Sequence, residues 1–140
     1  LQELVDESQR PILFLAHNGP TGLGAERTDI WGCDFRPEGG DFGDPDLAEA
    51  LQYAREQERP VLGVIAGHMH HTLKGKPGQR RWYLEQDGRV FVNAARVPRI
   101  FKQAGRLYHH HVSLQTDGQS VVVEEVLLSE GEETRTPAPV

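Results

Sequence analysis

The sequence predicts an α/β chain. Two continuous apolar runs, Ile12–Ala16 and Val61–Ala66, are typical of strands that are covered on both faces. The amphipathic stretch between them, residues 44–56, is typical of a helix. A strand, a helix and a strand in that order form a crossover unit, in which the two strands run parallel. With 140 residues, of which 37% are hydrophobic and 15 are glycine, the chain is one domain or part of one.

The segments before the helix are predicted from their spacing and their breakers. Residues 1–9 carry apolar side chains at helical spacing and precede a proline at position 11, which predicts the end of a helix. The first strand runs into residues 17–24, where three glycines and a proline predict a shaped loop. Residues 25–43 have no clear period, and long connections of this kind are typically functional or disordered.

The helix carries clear start and stop signals. Asp44 suits the N-cap and Pro45 the first helical position, while Asp46 favours the positive end of the helix dipole. Apolar residues recur every three or four positions to about Glu56, and Pro60 precedes the second strand. The prediction is therefore one helix packed by a single apolar stripe.

Two hairpins are predicted in the C-terminal half. Segments 81–85 and 89–93 flank a Gln-Asp-Gly turn, and segments 108–114 and 121–128 flank a polar turn that contains glycine. We therefore expect residues 1–128 to form the folded portion. The acidic segment 129–140 has few apolar residues to bury, so it is expected to fray.

Histidines follow both apolar runs. His17 comes directly after the first, and Gly67 separates the second from His68, His70 and His71. The ends of parallel strands lie on one edge of a sheet, and ligands of open α/β sheets bind outside that edge. In extended backbone, His68 and His70 leave on one face and His71 on the other. The sequence therefore predicts a metal site made by His17, His68 and His70.

Two kinds of metal site are compatible with these imidazoles. One zinc ion with three protein ligands and a water is chemically adequate. Paired metals that act on phosphate usually have carboxylate ligands as well. Four aspartates lie in or next to the long connection, but their spacing does not mark them as ligands: Asp29, Asp34, Asp41 and Asp44.

Three other motifs give no site. Side chains in the run His109–His111 alternate between the faces of a predicted strand, so we expect an exposed strand face there. The glycine loop after His17 lacks the Gly-Lys-Ser/Thr ending of a nucleotide P-loop. Cys33 is the single cysteine, which excludes an internal disulfide framework and fits a reducing compartment.

The charge of the chain is unevenly distributed. The net charge is −6, yet residues 74–106 contain nine basic and two acidic residues. A positive field beside the histidines would favour an anionic substrate, although such runs are commonly solvated surface. Because the net charge is negative, nucleic acid is not an expected partner. No apolar run approaches the roughly 18 residues that a spanning helix needs, so no membrane partner is expected.

Two of these segments resemble a known family. His17–Gly19 after an apolar strand and Gly67–His70 after the next one (Gly-His-Met-His) resemble the C-terminal half of calcineurin-like metallophosphoesterases. Val92–Ala95 falls where many members have an Asn-Pro-Gly-Ser turn. The wider stretches 16–24, 39–46 and 93–99 look like a subgroup of cyanobacteria and plant plastids. The resemblance covers residues 10–128.

The resemblance implies a fold and an activity. The fold would be part of a four-layer α/β/β/α sandwich, and the activity would be hydrolysis of phosphomonoesters or phosphodiesters by a metal-bound hydroxide. Two divalent ions of manganese, iron or zinc would be the cofactors. His17 and His68 would bind the second ion and His70 the first. We expect the anionic phosphate ester to meet four further residues: Asn18, His71, Arg96 and Arg99.

The chain also departs from the family pattern. The earlier family motifs, Asp-x-His, Gly-Asp-x-x-Asp and Gly-Asn-His-Asp/Glu, are absent from the 140 residues. No catalytic residue is therefore assigned. The chain is expected to be a C-terminal portion that needs an N-terminal half of the same domain and is nearly inactive alone, in the cytoplasm or a plastid stroma. The alternative is an inert phosphoesterase-like scaffold that binds a partner through residues 74–106.

Overall fold

The computed structural model describes residues 10–75 and 77–139. These residues form one helix and eight strands, in chain order β1 Ile12–Leu15, α1 Pro45–Glu56, β2 Val61–Ala66, β3 Tyr83–Gln86, β4 Arg89–Asn93, β5 Ile100–Gln103, β6 Arg106–Thr116, β7 Val121–Ser129 and β8 Glu132–Pro137. The predicted helix over residues 1–9 lies outside the described residues. No helix in the described part of the chain has the length and apolarity needed to cross a membrane.

The first sheet has the order β1-β2-β4-β3. Strands β1, β2 and β4 are parallel, and β3 returns antiparallel to β4 through the predicted Asp87–Gly88 turn. The parallel pairing of β1 with β2, which the crossover pattern predicts, is confirmed, with Leu15 opposite Ile65. The C-terminal ends of both strands therefore lie at one edge of the sheet.

Helix α1 begins and ends where the sequence predicts. The Asp44 side chain accepts hydrogen bonds from the amides of Asp46 and Leu47, and Pro45 lies in the first turn. The apolar stripe of the helix, which includes Leu51 and Ala54, packs on one face of the first sheet. The same core contains Trp31, which comes from the long connection before the helix.

The second sheet is antiparallel and has the order β5-β6-β7-β8. It packs on the other face of the first sheet, where Val90 and Val92 of β4 meet Val123 of β7. Half-buried Val112 and Leu114 of β6 pack against the same cluster. The described chain is therefore built in three layers: one helix with its connecting loop, a mixed sheet and an antiparallel sheet.

The expected fold class is wrong. The described part of the chain is mostly β, with 43% strand, 9% helix and two sheets, and it is not a four-layer α/β/β/α sandwich. The α/β prediction extended the pattern of residues 12–66 to the whole chain. After Ala66 no further helix forms in the described residues, because the strands return through short turns instead of helical crossovers.

The C-terminal segment forms a strand where fraying is expected. Residues 132–137 pair with β7 along their whole length, as strand β8, and all six side chains are exposed. Arg135 of this strand bonds to Glu124 on β7 at 2.9 Å. Backbone pairing and exposed ion pairs thus place β8 without a contribution from apolar burial.

Candidate functional site: two histidine pairs beside one strand end

His17 and His68 meet at the edge where β1 and β2 end. His17 Nε2 lies 3.0 Å from His68 Nδ1, and the ring centroids are 4.8 Å apart. The backbone continues the strand pairing beyond β1, since the Gly67 amide donates to the His17 carbonyl at 3.0 Å. Both imidazoles are exposed. The predicted convergence of these two residues, 51 positions apart, is therefore present.

The backbone of His68 lies in the left-handed region, with φ at 68°. A residue with a side chain is held there at a cost, and such outliers concentrate at functional sites. Two buried side chains bond to the carbonyls of the residues before and after His68. Trp31 Nε1 donates to the Gly67 carbonyl at 3.1 Å, and Asn93 Nδ2 donates to the Met69 carbonyl at 2.7 Å.

His70 lies near this pair but outside it. It lines, together with His68, a groove of about 590 Å³ that also contains Asp34, Phe35 and Lys74. Among the described residues, no group of three or more histidine, cysteine, aspartate or glutamate side chains is close enough to hold one metal ion. The structure thus brings together two of the three predicted ligands and leaves His70 separate.

Arg80 is buried and bonds to two residues that line this groove, Asp34 and His70. Its buried guanidinium forms an ion pair with Asp34 at 3.1 Å and donates from Nε to the His70 carbonyl at 3.0 Å. Nη1 also donates to the carbonyls of Asp29 and Gly32. One side chain therefore ties the segment after β2 to the long connection before α1.

Two of the predicted substrate-binding residues, Asn18 and Arg99, lie outside the groove and form hydrogen bonds within the fold. Asn18 donates to the Phe42 carbonyl at 2.6 Å and accepts from the Gly19 amide, so its amide group orders the loop. Arg99 is exposed, and its carbonyl accepts from the His110 amide at 2.8 Å. Neither residue lines the groove beside His68 and His70.

The other two, His71 and Arg96, lie together in a second pocket. This pocket of about 310 Å³ is lined by His71, Trp82, Arg96, Phe101 and Glu125, among others. It has Thr72 in common with the first groove. The short turn after β2 therefore separates two open sites.

His110 packs edge-on against His71 beside this pocket, with ring centroids 6.2 Å apart. His71 Nε2 donates to the Asn93 carbonyl at 2.7 Å, and His110 Nε2 lies 3.1 Å from Glu125 Oε1. Burial lowers the pKa of both His71 and His110, against the opposing pull of the Asn93 carbonyl on the first and of Glu125 on the second. The pair is accordingly neutral near pH 7.

The sequence interpretation of His110 was wrong. His109 and His111 are exposed as expected, but His110 is buried between the sheets. It lies on the same face of β6 as Val112 and Leu114, which are two and four positions along. That alternation was the signal that could have identified it.

The basic segment 74–106 is less positive at its surface than the composition implies. Arg80 is buried against Asp34, Arg96 pairs with Glu125 at 3.0 Å, and Arg106 pairs with Glu132 at 2.7 Å. Lys76 lies outside the described residues. These ion pairs weaken the field that the scaffold alternative would use.

The comparisons with known proteins bear on none of these residues. No protein-family model, curated protein or solved structure matches the chain. The candidate site therefore rests on its own geometry and on the resemblance of its short motifs.

Proposed function

We propose that the chain contributes His17 and His68 to a divalent metal site that hydrolyses phosphate esters. The observation that carries the proposal is the 3.0 Å separation of two exposed imidazole nitrogens at the C-terminal edge of a parallel strand pair. Ligands of α/β sheets bind at this kind of edge.

The imidazole pair fits a metal ion in its chemistry and its spacing. Two nitrogens bound tetrahedrally to zinc are about 3.3 Å apart, so the pair needs only a small opening to hold one ion. Without an ion, one nitrogen carries the hydrogen and the other accepts it. His70, which lies outside the pair, is then available for a second ion, and this division matches the ligand roles that the resemblance implies.

Two imidazoles alone make a weak site. Because the described residues supply no third ligand, the proposal includes further ligands, carboxylates above all, from another polypeptide segment. A divalent cation held by His17 and His68 would lower the pKa of a bound water and polarise the phosphoryl oxygen of the ester. This chain's own part is to bind the ion through His17 and His68 and to admit the ester into the groove lined by His70 and Lys74.

The test is hydrolysis of 4-nitrophenyl phosphate and bis(4-nitrophenyl) phosphate in manganese. It uses the complete polypeptide encoded by the gene and, separately, the 140-residue chain. We expect activity in the complete polypeptide, a loss of at least about 100-fold in His68→Asn, and near inactivity of the shorter chain. His109→Asn, an exposed histidine on β6, is the matched control. Full activity in His68→Asn would contradict the proposal.

The alternative is an inert phosphoesterase-like scaffold that binds a partner through residues 74–106. Metal titration separates the two functions. A scaffold leaves His17 and His68 unperturbed by manganese or zinc in the complete polypeptide, whereas the proposed hydrolase does not.

A further inference from the structure

The pocket beside His71 carries features that phosphoester hydrolysis does not use. Its walls include two aromatic side chains, Trp82 and Phe101, and an ion pair between Arg96 and Glu125. Its volume, about 310 Å³, is at the lower end of the range for small-molecule sites.

The ion pair in the pocket has unused hydrogen-bonding capacity. Arg96 Nη1 and His110 Nε2 both lie against the same oxygen of Glu125, Oε1, at 3.0 and 3.1 Å. Two partners on Oε1 fix the orientation of the carboxylate. Within the described part of the chain, Glu125 Oε2 and the Nε and Nη2 groups of Arg96 have no hydrogen-bond partner. The paired side chains thus retain one acceptor atom and further donor groups for a ligand.

The aromatic groups set the shape of a suitable ligand. The guanidinium of Arg96 is stacked over the Phe101 ring at 4.3 Å from its centroid, so its plane is held by the ring. Trp82 lies nearly parallel to the His71 ring, at 26° and with centroids 6.5 Å apart. Flat aromatic and guanidinium surfaces favour a flat ligand that can stack on them.

The charges that line the pocket determine which ligand charge it favours. Arg96 and Glu125 carry opposite charges and pair at 3.0 Å, so together they add no net charge to the pocket. A pocket without net charge gives no advantage to a phosphate or an ammonium group, whereas a neutral ring loses little on leaving water if its polar edge finds partners.

We propose that this pocket binds a neutral, planar nitrogen heterocycle with a hydrogen-bond donor beside an acceptor, of the class that nucleobases represent. The ring N–H donates to Glu125 Oε2, and the adjacent carbonyl or ring nitrogen accepts from Arg96. Trp82 stacks on one face of the ligand ring, while Phe101 holds the plane of the Arg96 guanidinium that meets its edge. This site is separate from the one proposed above for hydrolysis, since the two pockets have only Thr72 in common.

The probes are guanosine and uridine, and the readout is the indole N–H signals of the ¹⁵N-labelled 140-residue chain. The chain has two tryptophans, and Trp31 is buried in the other core, which makes it an internal control. We expect the Trp82 signal to shift with a Kd of about 1 mM or tighter while the Trp31 signal stays in place.

Variants identify the polar contact. Arg96→Lys keeps the charge but loses the planar fork, so we expect binding to weaken about tenfold. Arg99→Lys makes the same change outside the pocket and should leave binding unchanged. If Arg96→Lys does not fold, Phe101→Leu takes its place, with the same expected loss because the Arg96 guanidinium is no longer held by the ring.

Three results would overturn the proposal. The first is an unmoved Trp82 signal with both nucleosides at about ten times the expected Kd. The second is equal binding by the wild type and the pocket variant. The third is an equal shift with inorganic phosphate, which would make the pocket an anion site.

Discussion

The two histidine pairs beside the end of β2 differ in burial and in partners. His17 and His68 are exposed and point their ring nitrogens at each other at 3.0 Å. His71 and His110 are buried, and their Nε2 atoms contact protein oxygens, the Asn93 carbonyl and Glu125. Among the described residues the rings of His17 and His68 hydrogen-bond only to each other, and such a bond can be exchanged for a metal ion. Imidazoles fixed by oxygens of the protein serve as neutral walls of a pocket.

Buried polar groups hold the segment that carries His68 and His71, and the largest expected effect concerns Arg80, which ties this segment to the long connection before α1. Arg80→Ala should lower the free energy of unfolding by about 4 kcal/mol, because it leaves Asp34 without its buried partner and the carbonyl of His70 without a donor. Urea denaturation measures the loss. Arg81→Ala, which removes an exposed side chain at the next position, is the control and should change little. Equal losses in the two variants would contradict the anchoring role of Arg80.

Asn93 connects the two pairs. Its side chain donates to the carbonyls of Ile30 and Met69 and accepts from the Ala95 amide, with no exposure to solvent. Asn93→Ala should lower the free energy of unfolding by about 3 kcal/mol, since three buried polar groups lose their partner. Thermal or urea unfolding provides the measurement.

Asn18→Ala is the matched control for Asn93. It removes a half-buried amide that makes two hydrogen bonds, against the three of the fully buried Asn93 amide, so a loss of about 1 kcal/mol is expected. Similar losses of stability in the two variants would contradict the larger contribution that we assign to the buried Asn93 amide.

The left-handed backbone of His68 can be tested separately from the function of its imidazole. His68→Val should destabilise the fold by about 1–2 kcal/mol, because a β-branched residue is poorly tolerated at a φ of 68°. His68→Asn should retain the stability of the wild type, since asparagine adopts this conformation more readily. Urea denaturation of both variants measures the two stabilities. Equal stabilities would contradict the left-handed backbone conformation of residue 68.

The buried pair should give the fold a pH dependence. The pKa of both histidines in the folded chain lies below the ordinary value of 6.5, so the unfolded chain takes up protons first as the pH falls. Stability is therefore complete above the unfolded pKa and is lost below it, by at most about 1.4 kcal/mol per pH unit for each histidine.

Urea titrations between pH 7.5 and pH 5 measure this slope. His110→Gln should reduce it, while His109→Gln, on the exposed face of the same strand, should keep the wild-type slope. If His110→Gln keeps the wild-type pH dependence of the free energy of unfolding, His110 does not contribute to it.

Local patterns in the sequence predicted the elements around the exposed pair. The Asp44 cap and the apolar stripe set both ends of α1, and the uninterrupted apolar runs gave β1 and β2. From the parallel pairing of those strands, the meeting of His17 with His68 follows directly. These features depend on residues close in sequence and on one rule of sheet topology.

The sequence did not predict features that depend on partners distant along the chain. Strand β8 has no apolar side chain facing a core and is placed by pairing with β7. The burial of Arg80 follows from Asp34, 46 positions earlier, in a segment with no clear period. The fold class was wrong because the packing of the second sheet on β4 has no counterpart in the strand-helix-strand pattern of residues 12–66.

The most direct test of the central claim is a zinc titration of the complete polypeptide, followed through the ¹⁵N signals of the histidine side chains. We predict that the signals of His17 and His68 shift together and that His17→Gln abolishes the shift of His68, whereas the signals of His71 and His110 stay in place. A zinc response confined to other histidines, or one of His68 that survives His17→Gln, would contradict the account.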